Sequence, residues 1–306
     1  MIEPIYRDAV IFASLLTLLS TGLSLTYMTT KVPNFAHGSF ATVGFYVCLT
    51  ASRLWVVNPY LSLPLGFVTG AIIGLILYAS TIRPLMRRGA NFVVLMIATL
   101  AFDLVILGVF NIYADYLARA HGITSRYFLL RSFDFRFADQ PGLFLAAPVV
   151  MITEIILLHL ALTRTRFGVA MRATVENPSL ASVVGINVDL VYASSWLLAG
   201  GLAGVSGVLM SLWFMGNPDV GGSMLASIFA ASVVGGLLSI YGAFLGGFLV
   251  GLVEVLGTSY LSGLIGAWII PYRPLMPLMI MIITLFTMPE GLAAVDLARA
   301  LRRLRT

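Results

Sequence analysis

Residues Val220 to Val253 read VGGSMLASIFAASVVGGLLSIYGAFLGGFLVGLV, an uncharged run on which the fold turns. As one helix it would be about 50 Å long, too long for a hydrocarbon core of about 30 Å without steep tilt. Gly235, Gly236, Ser239, Gly242, Gly246 and Gly247 gather near its centre and supply a break. The run is therefore divided into two spans, 222–239 and 242–260.

Working outward, Ala9 to Thr30, Leu54 to Ile82 and Leu190 to Pro218 are also free of charge, and each exceeds the roughly 20 residues that cross a bilayer. A helix apolar on every face for so long does not belong to a water-soluble domain. The composition agrees, with 59% hydrophobic and 10% charged residues against about 25% charged in soluble proteins. Candidate helices fall at 9–29, 36–54, 60–82, 91–113, 142–163, 191–215, 222–239, 242–260 and 269–288. The fold class is thus all-α, a polytopic integral membrane protein of about 8–9 transmembrane helices in a single domain over 1–306. Glu3 and Asp8 deny the first stretch a positive n-region, so it reads as the first span and not as a cleaved signal.

Arginines set the orientation. Arg83, Arg87 and Arg88 share one loop, Arg164, Arg166 and Arg172 another, and Arg299, Arg302, Arg303 and Arg305 the tail. Nine spans bring all three clusters to one side, as the positive-inside bias requires, whereas eight would strand the tail opposite. This predicts an outside N-terminus and a cytoplasmic C-terminus. It also explains the net charge of +5 better than nucleic-acid binding does. In the segment 294–306, Leu297, Leu301 and Leu304 stand at helical spacing opposite the arginines, which suits an interfacial helix on an anionic leaflet. The outer loop 114–141 is either a solvated connection or a small docking surface.

No enzyme chemistry is legible. The one lysine, Lys31, follows Thr30, so no Gly-Lys-Ser/Thr phosphate loop exists in the chain. His37, His121 and His159 lie in unrelated segments without ligand spacing, and the one cysteine, Cys48, excludes an intramolecular disulfide. No cofactor or metal is implied.

Four features carry information instead. Lys31-Val32-Pro33-Asn34-Phe35-Ala36-His37-Gly38 interrupts the helical pattern, either as a broken helix beside a pathway, where freed backbone groups find partners, or as a turn at the surface. The segment 164–190 reads as an elbow of two short helices, the first ending at Glu176, the second capped by Asn177, opened by Pro178 and closed by Gly185. Such a structured elbow offers a knob to a partner. Asp103, Glu154 and Glu254 are carboxylates inside spans, each costing at least about 2.5 kcal/mol unless paired or hydrated. They serve a path or its gate, or simply bond helices together; His159 sits five residues from Glu154, off the spacing of a helical pair. Finally, Gly200, Gly201, Gly204 and Gly207, and Gly242, Gly246, Gly247 and Gly251, form small-residue stripes for close helix packing.

A short repeat runs through the chain: Arg83-Pro84-Leu85-Met86 recurs as Arg273-Pro274-Leu275-Met276, each before a similar apolar helix. In the nine-span topology the copies lie on opposite sides, which makes the halves a candidate inverted repeat.

Taken in order, Asn34-Phe35-Ala36-His37-Gly38, Arg83-Pro84-Leu85, Ser182-Val183-Val184-Gly185-Ile186-Asn187, Val234-Gly235-Gly236-Leu237-Leu238-Ser239-Ile240-Tyr241-Gly242-Ala243 and Met288-Pro289-Glu290-Gly291 resemble the Liv-type branched-chain amino-acid ABC transporter permeases, in particular LivH-like subunits, over about 10–292. The resemblance implies an inner-membrane importer of apolar amino acids. Its other parts would be a second, LivM-like permease, two cytoplasmic ATPases and an extracytoplasmic substrate-binding protein. It makes the elbow around Arg172, Ala173, Glu176, Asn177 and Gly185 the ATPase-coupling surface and sets Asn34, His37 and Gly38 beside the translocation path, to which Glu254 is also assigned. Asp103 and the loop 114–141 depart from the family pattern. Urea and amide permeases of similar build share these motifs, and an ion-coupled secondary transporter using Asp103, Glu154 or Glu254 is the rival from another class.

Overall fold

The computed structural model describes residues 3–137 and 139–294. Twelve α-helices hold most of them: α1 (Pro4–Thr30), α2 (His37–Arg53), α3 (Leu63–Leu77), α4 (Arg83–Arg87), α5 (Phe92–His121), α6 (Leu143–Arg164), α7 (Arg166–Glu176), α8 (Pro178–Val183), α9 (Val188–Met210), α10 (Val220–Gly235), α11 (Ile240–Ile265) and α12 (Leu275–Thr287). A π-helical turn at Tyr78–Ile82 joins α3 to α4 without interruption. Six helical stretches are long and apolar enough to cross a membrane, with α3 and α4 counting as one. Two shorter apolar helices, α10 and α12, add to these, and α2 is a further short helix of 17 residues. The chain is a multi-pass, all-α membrane protein.

The decisive run breaks where its glycines gather. α10 stops at Gly235, Gly236 turns the chain at φ 99°, and the Ser239 hydroxyl accepts the Gly242 N–H at 3.0 Å to cap α11. Elsewhere the bounds move. α5 continues to His121, so eight residues assigned to the loop 114–141 are helical, and the connection beyond them carries a two-residue hairpin, β1 (Arg136–Phe137) with β2 (Gln140–Pro141). α9 ends at Met210 and not at 215. α12 begins only at Leu275, because Pro271 and Pro274 hold the preceding residues in a tight 3₁₀ turn. The tail from 295 to 306, read as an interfacial helix, lies outside the described residues.

The halves match in the same chain order but run in opposite directions through the bundle, Arg7 at the start of α1 lying against Trp213 beyond the end of α9. α1, α2, α3 with α4, and α5 correspond to α9, α10, α11 and α12; Arg83 opens α4, ahead of α5, and Arg273 lies ahead of α12. Two seams join the halves reciprocally. Where α3 meets α9, a Cβ on Gly70 would strike the Gly200 carbonyl and one on Gly200 the Gly70 carbonyl. Where α1 meets α11, Gly247 backs onto Thr17 and Ser20, and Gly251 onto Ala13. Small residues let these backbones touch, which is how helices associate when lipid is as apolar as leucine. α1 forms the axis, with 94% of its spanning window buried against 17% for α5 at the periphery.

The counterparts α2 and α10 are both short because both start inside the bundle. After α1 the chain turns back through residues 31–36, and α2 opens beside Leu19, midway along α1, to which His37 donates from Nε2 at 2.9 Å. After α9 it returns through residues 211–219, and α10 opens where Gly221 meets Gly38 backbone to backbone. Their N-termini face each other at the centre, and the Gly221 N–H donates to Thr42 Oγ1 at 3.1 Å. One end of the bundle gathers Arg83, Arg87, Asp189 and the elbow; the far end gathers Arg7, Arg53, Arg131 and Arg273.

Candidate functional site

The central break is built from its own backbone needs. Asn34 Oδ1 accepts the Ala36 N–H at 3.1 Å, an Asx turn that opens α2. Thr99 of α5 accepts the Phe35 N–H at 3.1 Å, so the unwound strand is satisfied within protein. Asn34, His37 and Gly38 are all buried, His37 against Gly22 of α1, which also faces the Ala199 carbonyl of α9. Asn34 Nδ2 and His37 Nδ1 have no partner among the described residues. Sequence reasoning found this break through its proline and asparagine; it missed the matching one at Asn217-Pro218-Asp219, whose residue types carry the same signal.

The three carboxylates are not brought together. Asp103 of α5 accepts from Ser39 Oγ at 2.5 Å, one turn into α2. Glu154 of α6 accepts from Thr21 Oγ1 of α1 at 2.5 Å, which ties α6 to the axis. Glu254 of α11, 5% exposed, accepts from Arg273 Nε at 2.8 Å. It thus lies toward the far end, away from Asn34, His37 and Gly38. Its partner stands 19 residues along the chain across a turn, beyond the reach of any helical-spacing rule. His159 bonds Tyr241, Nδ1 to Oη 2.8 Å, and takes no part with Glu154.

The elbow has a buried root and an exposed tip. Met171 of α7 packs with Leu25 of α1, Leu158 of α6, Val191 of α9 and Ile240 of α11. Thr165 caps α7 by accepting the Gly168 N–H at 3.2 Å, and Asn177 caps α8 by accepting the Leu180 N–H at 3.0 Å. Gly185 ends the elbow at φ 88°, a left-handed conformation that glycine adopts without a Cβ penalty. Arg172 donates to the Leu162 carbonyl and is exposed, as are Glu176 and Asn177, while Ala173 is half-buried. The apolar part of the knob is Leu180, Val183 and Val184, exposed by 60, 81 and 68%. Val183 and Val184 were quoted only as part of the family motif and Leu180 was not singled out, because valine and leucine in a short helix do not reveal their exposure without the fold.

At the arginine-rich end a cavity of about 740 Å³ opens between Tyr27, Lys31, the Gly236–Ser239 turn, Pro289 and Glu290. Partial burial holds the Lys31 ammonium below the usual lysine pKa.

Over residues 5–285 the chain matches the family described as branched-chain amino acid transport system, permease component. It is 45% identical to the probable branched-chain amino acid transport permease protein LivH of Methanocaldococcus jannaschii, over 99% of this chain and 96% of that protein. It is 28% identical to the high-affinity branched-chain amino acid transport system permease protein LivH of Escherichia coli K12, over 93% of each. A nucleoside ABC transporter permease protein, NupC of Lactococcus lactis, is 30% identical over 70% of this chain and 68% of its own length. No solved structure matches the chain.

Proposed function

This chain belongs to the family of branched-chain amino acid transport permeases, and from that premise we propose that it is one transmembrane subunit of an ATP-driven importer of branched-chain amino acids. The elbow is the observation that carries the reading. Leu180, Val183 and Val184 form a solvent-facing apolar knob at the end where the loop arginines gather, and three exposed large aliphatics in so short a segment suit a partner's groove. Positive-inside bias makes that end cytoplasmic and the N-terminus outside. The chain has no phosphate loop, so ATP binds on two partner ATPases docked at the elbow around Arg172, Ala173, Glu176, Asn177 and Gly185. A second, LivM-like permease completes the pathway in the inner membrane, and an extracytoplasmic binding protein delivers the cargo.

The mechanism follows from the root of the knob. Met171 shares one buried cluster with residues of α1, α6, α9 and α11, and α7 lies against α1, α6 and α9, so a shift of the elbow is carried into the bundle. ATP drives the change only by binding one of the two arrangements more tightly. The small contact of Gly38 with Gly221, where α2 and α10 begin, is the place where the two halves move past each other, with Asn34 and His37 beside the path. Glu254 acts nearer the outer end of that path, through its hold on Arg273. The separate engagement of Asp103, Glu154 and Glu254 by Ser39, Thr21 and Arg273 weighs against a cation site shared among the three carboxylates.

Co-purification from native membranes in mild detergent tests this. An ATPase and a second permease are expected with the chain, and Leu180→Asp with Val183→Asp lowers ATPase recovery at least tenfold, about 1.4 kcal/mol of binding, while leaving the amount of folded chain unchanged. A chain that purifies alone and still accumulates leucine would refute the reading. Uptake of leucine, isoleucine and valine against uridine and urea decides the cargo.

A further inference from the structure

The far end holds a second cavity, about 300 Å³, between the start of α1, the α9–α10 connection, the end of α11 and the residues before α12. Its volume is at the small end of ligand pockets. Phe12, Phe214 and Ile270 line it with apolar surface; Asp8 and Arg273 line it with opposite charges.

Arg273 is incompletely used. Its guanidinium lies over the Phe12 ring at 4.3 Å and gives Nε to Glu254, but its Nη2 has no partner among the described residues. A guanidinium presents five donors in a planar fork matched to a carboxylate; Nη2 is enclosed, as is the equally unpartnered Glu254 Oε2, so a carboxylate in the cavity meets the remaining, accessible part of Arg273, whose side chain is 30% exposed. Asp8 is bonded to Arg7 Nε at 3.1 Å, and its acidic oxygens retain capacity for an ammonium. Arg7 itself is held over the Trp213 ring at 5.3 Å. The four charges Arg7, Asp8, Glu254 and Arg273 cancel, so the cavity favours a ligand with no net charge and two charged groups.

We propose that this cavity binds an amino-acid zwitterion at the outer end of the permease, its carboxylate on Arg273, its ammonium on Asp8 and its aliphatic side chain against Phe12, Phe214 and Ile270. The proposal rests on the reading that the cargo is an apolar amino acid. It makes Arg273 and Asp8 specificity-determining residues for cargo passing from the binding protein into the bundle.

The test uses photo-leucine, a diazirine analogue of leucine, on the assembled importer without its binding protein, with cross-links located by mass spectrometry. Labels are expected on residues 213–214, 255–262 and 270–273, displaced by leucine. L-leucinol, which lacks the carboxylate, and 4-methylpentanoate, which lacks the ammonium, compete at least about tenfold less well, the worth of one charge-assisted hydrogen bond. Asp8→Asn raises the leucine concentration that halves labelling by a similar factor. Arg273→Met combined with Glu254→Gln removes both buried charges together, so no bare carboxylate is left to unfold the chain; with its melting temperature kept, it is expected to lose the label. Labels elsewhere, equal competition by leucinol, or full labelling of that double variant would each overturn the proposal. ATP-driven leucine uptake by the wild-type importer with its binding protein is measured alongside: its absence sinks the functional reading, whereas its presence without these labels sinks the site alone.

Discussion

Arg83-Pro84-Leu85-Met86 and Arg273-Pro274-Leu275-Met276 are the same four residues at opposite ends of one bundle, and their arginines, 42 and 30% exposed, hold carboxylates of very different exposure. Arg83 is 42% exposed and shares Asp189 with Arg87, at 3.1 and 2.5 Å. Arg273 holds a Glu254 that is 5% exposed. The backbones differ too. Before Pro84 a π turn at Tyr78–Ile82 absorbs the missing donor and the helix runs on. Before Pro274 the chain leaves α11 at Gly266, φ 104°, and restarts as a 13-residue helix. An inverted repeat thus preserves what close packing demands, the glycine seams and the paired short helices. It is free to differ at its two ends, where one arginine's carboxylate is exposed and the other's is enclosed.

The largest effect should come from the buried copy. Arg273→Ala leaves Glu254 without its cation inside the bundle and is expected to cost about 3–5 kcal/mol of stability, read as a large drop in the thermal unfolding midpoint in detergent. Arg273→Met with Glu254→Gln should recover most of that loss, because neither charge then remains to be desolvated. If Arg273→Ala proves no worse than Arg83→Ala, the two copies are equivalent and the contrast between them fails.

Next come the seams, where the halves should behave alike. Gly200→Ala drives a methyl into the Gly70 carbonyl, and Gly251→Ala sets one 2.5 Å from Ala13 Cα. Backbone cannot step aside as a side chain does, so each is expected to cost about 1–3 kcal/mol. Gly108→Ala in α5 meets nothing within 4 Å and should gain up to about 1 kcal/mol from helix propensity alone. Unequal losses at Gly200 and Gly251 would show that one seam, and not the pair, holds the halves together.

What the sequence disclosed, and what it withheld, follow the same division. Spans, the break after α1, the split of Val220 to Val253 and the elbow's caps were legible, because uncharged length, proline, asparagine and glycine act locally. The glycine stripe on α9 was legible, but its partner stripe Gly66, Gly70 and Gly74 on α3 was not singled out, since three glycines in an apolar run look like any other small residues until a facing helix is known. The partners of Asp103, Glu154 and Glu254 were hidden for a stronger reason. Ser39 and Thr21 lie 64 and 133 residues away from the carboxylates they bond, and no periodicity within one helix reports on a neighbour. The apolar tip of the elbow was hidden because exposure is a property of the fold and not of leucine or valine.

The smallest effect is expected at Arg83, and it sharpens the comparison most. Its ion pair with Asp189 is half in water, where such pairs contribute about 0–1 kcal/mol, and Arg87 reaches the same carboxylate oxygen. Arg83→Ala should therefore leave the unfolding midpoint almost unmoved. Even Arg83→Ala with Arg87→Ala should cost little, because Asp189 lies in the first turn of α9, where the helix N-terminus itself favours a negative charge by about 0.3–1 kcal/mol. Salt should erase what remains, since screening at 0.15 M falls off within about 8 Å for exposed charges. The buried pair at Glu254 should be indifferent to the same salt. A midpoint that falls with ionic strength in the wild type but not in the doubly substituted protein would assign that salt sensitivity to the first copy, and a sensitivity that survives both substitutions would mean that the two copies are not separated by solvent at all.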